Sequence, residues 1–178
     1  MDREIRIRGE AKGDERAITR VTVAAFRTLQ LRVGVERFDI TEHRIILALR
    51  SADALVVSLV ADMDGSVVGH VAFSRLTISA GTTDWYALGP LSVLPAQHRK
   101  GIGTALVREG LSRLKGMNAR GCCVVGDPAY YTRFGFESLP ELSSPGVPEE
   151  VLLATCWTAP APRGEVTFHE AFEADAAL

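Results

Sequence analysis

The residues His98-Arg99-Lys100-Gly101-Ile102-Gly103-Thr104 stand between an apolar stretch, Trp85 to Leu94, and a helical pattern, Gly101 to Lys115. Two cations, two glycines and a hydroxyl at the start of a helix are a chemistry for holding an anion. The first amides of a helix have no intrahelical partner and donate readily to phosphate oxygens. Gly101 and Gly103 let the backbone approach a ligand with no Cβ in the way. Each charge-assisted bond contributes about 1.5–3 kcal/mol. Further along, Tyr130 and Tyr131 precede Gly135-Phe136. The chain looks built to hold a phosphorylated ligand beside a tyrosine hydroxyl, a group that stays protonated at neutral pH with an ordinary pKa of about 10.

Two nucleotide fingerprints fail on this turn. A dinucleotide site needs a third glycine, and Leu106 stands in its place. The G-x-x-x-x-G-K-S/T string of a P-loop does not occur. Alone, G-x-G also fits a plain strand-to-helix turn with two solvated basic residues.

The surrounding elements must position these groups. Glu4 to Arg8 alternates apolar and charged side chains, as a first strand would. Asp14 can cap a helix with Ile18, Val21 and Ala25 on one side. Thr41 can cap a second helix carrying Ile45, Ile46 and Leu49. Between them, Leu29 to Ile40 lacks periodicity and reads as an apolar loop, suited to a lid or a homodimer contact. Ala54 to Ala61 is a buried strand, Asp64-Gly65 a hairpin turn, and Ser66 to Ile78 the partner strand. Trp85 to Leu94 is another strand, with Gly89-Pro90 inside it. Proline has no N–H for a ladder, so a bulge, an edge or a break is expected there.

The Gly101–Lys115 helix leads to a short buried strand, Gly121 to Gly126, which makes the two flanking strands parallel. Asp127-Pro128 fits an N-cap with proline at the first helical position. Val151 to Trp157 and Val166 to Phe172 read as the last strands, and the tail after Ala174 as frayed.

The 178 residues fit one domain, 1–178, with a ligand-binding core at about 85–137 and a last strand and tail at 159–178. Apolar residues make up 47%, enough for a sizeable core, and the net charge of −2 argues against a nucleic-acid partner. No apolar run is long enough for a membrane span, and the charged N-terminus has no signal core. Cys122, Cys123 and Cys156 lack paired or zinc spacing, which fits reduced thiols in a cytoplasmic protein with no metal. Adjacent strand residues point to opposite faces, so Cys122 and Cys123 do not act together.

Taken with its surroundings, Leu88 to Phe136 resembles the GNAT superfamily of acyl-CoA-dependent N-acetyltransferases. That family's phosphate motif, Q/R-x-x-G-x-G/A after a strand ending in V-x-P, is matched by Val93, Pro95, His98, Gly101 and Gly103. Its tyrosine shortly before Gly-Phe is matched by Tyr131 with Gly135-Phe136. The string GDPAYYTRFGF after LGPLSVLP looks like a bacterial subgroup of predicted acetyltransferases. One residue departs: His98 stands where the family has Gln or Arg, and reads either as a phosphate contact or as an exposed turn residue.

The resemblance implies an α/β (α+β) fold. Its mostly antiparallel twisted sheet would hold a central parallel pair splayed around acetyl-CoA, with helices on the flanks. It implies pyrophosphate contacts at His98, Arg99, Lys100, Gly101, Ile102, Gly103 and Thr104. Pantetheine would meet Leu91 and Val93, with Asp127 and Tyr131 nearby. Tyr131 would be the general acid for the leaving thiolate. The base is open among Glu42, Asp84, Asp127, His43 and His70, with Glu42 the candidate carried forward. The implied reaction is acetyl transfer from acetyl-CoA to an amine acceptor. The alternatives are a non-catalytic acyl-CoA sensor and, disfavoured by the failed fingerprints, a nucleotide-binding regulatory domain.

Overall fold

The computed structural model describes residues 4–34 and 40–175. Six strands form one sheet: β1 (Ile5–Gly9), β2 (Leu55–Met63), β3 (Ser66–Arg75), β5 (Trp85–Val93), β6 (Gly121–Val125) and β8 (Leu152–Cys156), in the order β1-β2-β3-β5-β6-β8. Only the β5–β6 pairing within this sheet is parallel. A small second sheet pairs β4 (Thr77–Ile78), β9 (Gly164–Thr167) and β7 (Leu142–Ser143). The helices are α1 (Glu15–Val33), α2 (Glu42–Ser51), α3 (Ile102–Gly116) and the short α4 (Pro128–Tyr131).

The near-continuous apolar runs of β2 and β3 reflect a sheet covered on both faces. Leu59, Ala61, Val71 and Phe73 pack with Ile102, Leu106 and Val107 of α3. Val60 and Val67 pack instead with Ile18 and Val21 of α1 and Ile46 of α2. The expected hairpin, the parallel pair and the helix between its strands are all present.

Four local expectations are corrected. The Leu29–Ile40 loop begins only at its sixth residue, because α1 runs on to Val33. Leu, Gln and Arg are good helix formers, and nothing breaks the helix before Gly34. The apolar period fades there because Leu29 and Leu31 are 50% and 79% exposed. Val35 and Phe38 lie outside the described residues. Second, β3 stops at Arg75, and Thr77-Ile78 moves to the small sheet. Third, Val166–Phe172 is not one strand: β9 ends at Thr167, and a 3-10 turn covers Glu170–Asp175. His169 starts it by accepting Ala171 N–H on Nδ1 at 3.0 Å and Phe172 N–H on its carbonyl at 3.0 Å. Fourth, Asp14 holds the N-cap position of α1 without a side-chain cap bond. Its carboxylate accepts from Ala11 N and from Arg8 (2.8 and 2.7 Å), and the Arg8 bonds hold it below the usual carboxylate range.

A part-buried polar chain links Arg50 of α2 through Glu10, just past β1, to Ser58 of β2 and His70 of β3. Arg50 donates to Glu10 Oε1 (Nη2 at 2.6 Å), and the Ser58 hydroxyl bonds the other Glu10 oxygen. A carboxylate only accepts, so the Ser58 proton goes to Glu10. Ser58 Oγ therefore accepts Nε2–H of His70 at 2.9 Å. His70 is fully buried, and burial, helped by Arg50, pushes its imidazole down to about 3.

Unfolding returns His70 to about 6.5. Below that pH the unfolded chain binds a proton that the folded chain refuses, so stability present above pH 6.5 is lost as pH falls toward 3. His70 alone is expected to remove about 1.2 kcal/mol between pH 6 and pH 5. Urea unfolding at the two pH values checks this, and His70→Gln should flatten that part of the profile.

Candidate active site

The wedge opens where pairing between β5 and β6 stops. Their register ends at Ala87↔Cys123. On the other side of β5, Gly89 and Pro90 oppose the single residue Ala72, a bulge of the expected kind. Beyond it, Leu94 N–H bonds Val68 O at 2.9 Å. Bonding alternates along an antiparallel ladder. Ser92 and Leu94 therefore face β3, while Leu91 and Val93 turn their backbone groups toward the gap beside β6.

Two cavities meet in that gap. One, of about 610 Å³, runs from Leu91 and Val93 over the start of α3 and is lined by Arg99, Gly101, Ile102, Gly103, Thr104 and Arg133. The other, of about 500 Å³, lies over Leu88 to Leu91 and Val124 to Asp127. Phe26 and Leu29 of α1 and Leu91 of β5 line both.

The α3 end is shaped for an anion. The first bond of α3 runs from Ala105 N to Gly101 O, so the amides of Ile102, Gly103 and Thr104 stand ahead of it. The two glycines serve different needs. Gly101 has φ 77°, in the left-handed region, with open space around a would-be Cβ. At Gly103 a Cβ would lie 2.7 Å from the Tyr130 hydroxyl. Tyr130 hydrogen-bonds Thr104 and carries the Arg133 guanidinium 4.6 Å from its ring centroid. Tyr130 and Arg133 are thus walls of this half, which the sequence reading missed. The sole signal was their helical spacing, which sets Arg133 one turn past Tyr130, where Nε donates to Tyr130 O at 2.8 Å.

His98 also lines this half, and its ring folds back so that Nε2–H donates to Val93 O at 2.9 Å. It pins the turn to the end of β5. Lys100 lies outside the lining residues and donates to Gln97 Oε1 at 2.8 Å. Loss of the Val93 bond in His98→Ala is expected to lower stability by about 0.5–1.5 kcal/mol, the worth of one hydrogen bond. His98→Gln should recover most of it, as urea unfolding can show.

Tyr131 lines the second cavity. Its ring packs edge-on against Tyr130 and Phe136, at 5.0 and 5.8 Å between centroids. Gly126 leaves room for it: a Cβ there would sit 2.4 Å from Tyr131 Cε2. Burial first, then Tyr130 and Cys122, push the phenol above its ordinary value. Asp127 caps α4 by accepting Ala129 N–H at 2.8 Å and lines this same cavity, away from the α3 turn. Glu42 lines it from α2, with Oε2 accepting Thr41 N–H at 3.1 Å. Val147, Phe168 and Phe172 close it, residues that the sequence reading did not single out.

Residues 22–136 match the model of the acetyltransferase (GNAT) family. The chain belongs to that family. A GNAT family acetyltransferase from Brucella melitensis, solved in complex with acetyl-CoA, is 42% identical. The match covers 96% of this chain and 99% of that one, with a TM-score of 0.81. The E. coli GNAT family N-acetyltransferase YhbS, solved with CoA, superposes with a TM-score of 0.85 at 28% identity, over 97% of this chain and 94% of that one. By sequence, the uncharacterized N-acetyltransferase YhbS of E. coli K12 is 37% identical over 97 residues, 54% of this chain. That match spans 58% of the curated relative's length. The fold of these GNAT structures is the expected mixed one, with a mostly antiparallel sheet, a parallel pair and flanking helices.

Proposed function

We propose that the chain transfers the acetyl group of acetyl-CoA to a primary amine. The observation that carries this is the pair of adjoining cavities, which share Phe26, Leu29 and Leu91. They run from unpaired helix amides beside Arg99 and Arg133, past the free edge of β5, to Tyr131 and Glu42. An extended ligand with phosphates at one end and an amide-rich arm fits that sequence of groups. The acetyl-CoA and CoA complexes of the two GNAT structures support the same reading.

The α3 amides and Arg99 bind the pyrophosphate, and the free N–H groups of Leu91 and Val93 pair with the pantetheine arm. The thioester then lies between β5 and Tyr131. Glu42, directly or through water, takes a proton from the amine, whose free pKa is about 10.4 for a lysine-type group. The neutral nitrogen attacks the acetyl carbon, and a β5 amide stabilises the oxyanion. The C–S bond breaks, Tyr131 protonates the thiolate, and the nitrogen's extra proton passes through water to restore the phenol. The products are the acetylated amine and CoA thiol.

A thermal-shift series with acetyl-CoA, NAD and ATP in parallel tests the binding half. Acetyl-CoA at 100 times its Kd should add about 2.7 kcal/mol of stability. No shift with acetyl-CoA, or a larger one with NAD, overturns the proposal. A non-catalytic acyl-CoA sensor would show the shift but release no CoA with any amine.

A further inference from the structure

Among the described residues, the two adjoining cavities carry opposite charge. Arg99 and Arg133 line the half at α3, whereas Glu42 and Asp127 line the half beyond Leu91. The rest of that second half is mainly apolar: Ile45, Pro90, Val147, Phe168 and Phe172 among others. The Phe168 and Phe172 rings stand 5.7 Å apart, and Phe172 is braced against the buried cluster of Ile45, Leu49 and Ala171. The aromatic wall is therefore anchored to α2, the helix that carries Glu42 at its first turn.

Building on the acetyltransferase reading, we propose that the acceptor is a primary amine on a compact aromatic or branched apolar body, with no carboxylate beside the nitrogen. The apolar wall removes such a body from water. Glu42 and Asp127 attract the incoming ammonium and place its nitrogen at the carboxylate side of the cavity. A free amino acid would bring its own carboxylate against those two, a like-charge contact. A diamine brings no apolar body to the phenylalanine wall and so forgoes that burial. The same polarity sorts the two substrates, with the polyanionic one drawn to the α3 end and the cationic one to the α2 end.

Four amines separate the terms: 2-phenylethylamine, phenylalanine, phenylalanine amide and 1,4-diaminobutane, each assayed by CoA release from acetyl-CoA. With 2-phenylethylamine, kcat/KM should exceed the values for phenylalanine and 1,4-diaminobutane by about tenfold or more. Phenylalanine amide, which has the same body without the charge, should recover most of the difference from phenylalanine. Phe172→Ala should lower kcat/KM for 2-phenylethylamine by roughly fivefold or more while the acetyl-CoA thermal shift is kept. Phe168→Ala provides the same readout should Phe172→Ala lower the melting temperature.

Equal or better use of phenylalanine or 1,4-diaminobutane overturns the acceptor assignment alone. So does turnover of none of the four by a protein that acetyl-CoA stabilises. A protein that acetyl-CoA does not stabilise loses the acetyltransferase reading as well.

Discussion

Tyr131→Phe is expected to lower kcat by about 10²–10⁴-fold, the usual worth of a positioned general acid, with acetyl-CoA affinity unchanged within about twofold. The substitution removes one oxygen and keeps the ring that packs on Tyr130 and Phe136. The proposed binding groups, the α3 amides and the β5 edge, are untouched. A phenol raised above its ordinary value is a weaker acid, which at first sight disfavours the role. The same apolar surroundings also raise the basicity of a thiolate formed beside it, so the proton still has reason to move. Because the shift is upward, Tyr131 stays protonated as pH rises through its ordinary value of about 10. The rate should climb as the amine deprotonates and show no alkaline fall near that pH. Steady-state kinetics across pH on both proteins check both statements. Full activity in Tyr131→Phe would remove the tyrosine from the chemistry.

Gly103→Glu should abolish measurable acetyl-CoA binding. Any side chain there displaces the Tyr130 hydroxyl from the turn. A carboxylate adds a charge where the pyrophosphate belongs. At about 4 Å and the dielectric of a protein surface, that repulsion is about 4 kcal/mol, or roughly a thousandfold in affinity. Gly103 is half-buried at the helix start, so the fold should survive. Calorimetric titration with acetyl-CoA, with circular dichroism to confirm folding, gives the result. Retained binding would move the phosphate site elsewhere.

The strand, turn and helix around Gly101 were legible in the sequence because they are local. Strand, turn and helix follow one another within Trp85–Gly116, and Gly89-Pro90 marks the place where the ladder is interrupted. The hydrogen bond of His98 was not legible, since nothing in the string says that the ring turns back to Val93. The walls of the second cavity were harder to read for a different reason. They come from α1, α2, the β5–β6 gap, Val147 and the C-terminal phenylalanines, brought together only by the tertiary fold. Phe168 and Phe172 alternate with polar residues as a strand would, yet the local bonds of His169 turn the chain there. The far end of α1 was misread for a related reason. A helix whose apolar side chains face solvent or a cavity loses the period that marks a helix packed on a core.

The most direct measurement is a crystal structure of this protein with acetyl-CoA bound. Diphosphate oxygens should lie within hydrogen-bond distance of the Gly101–Thr104 amides, the pantetheine arm should run along the free edge of Leu91 and Val93, and the thioester sulfur should be within reach of the Tyr131 hydroxyl. Acetyl-CoA seated away from the α3 turn, or a thioester directed away from Tyr131, would contradict that arrangement.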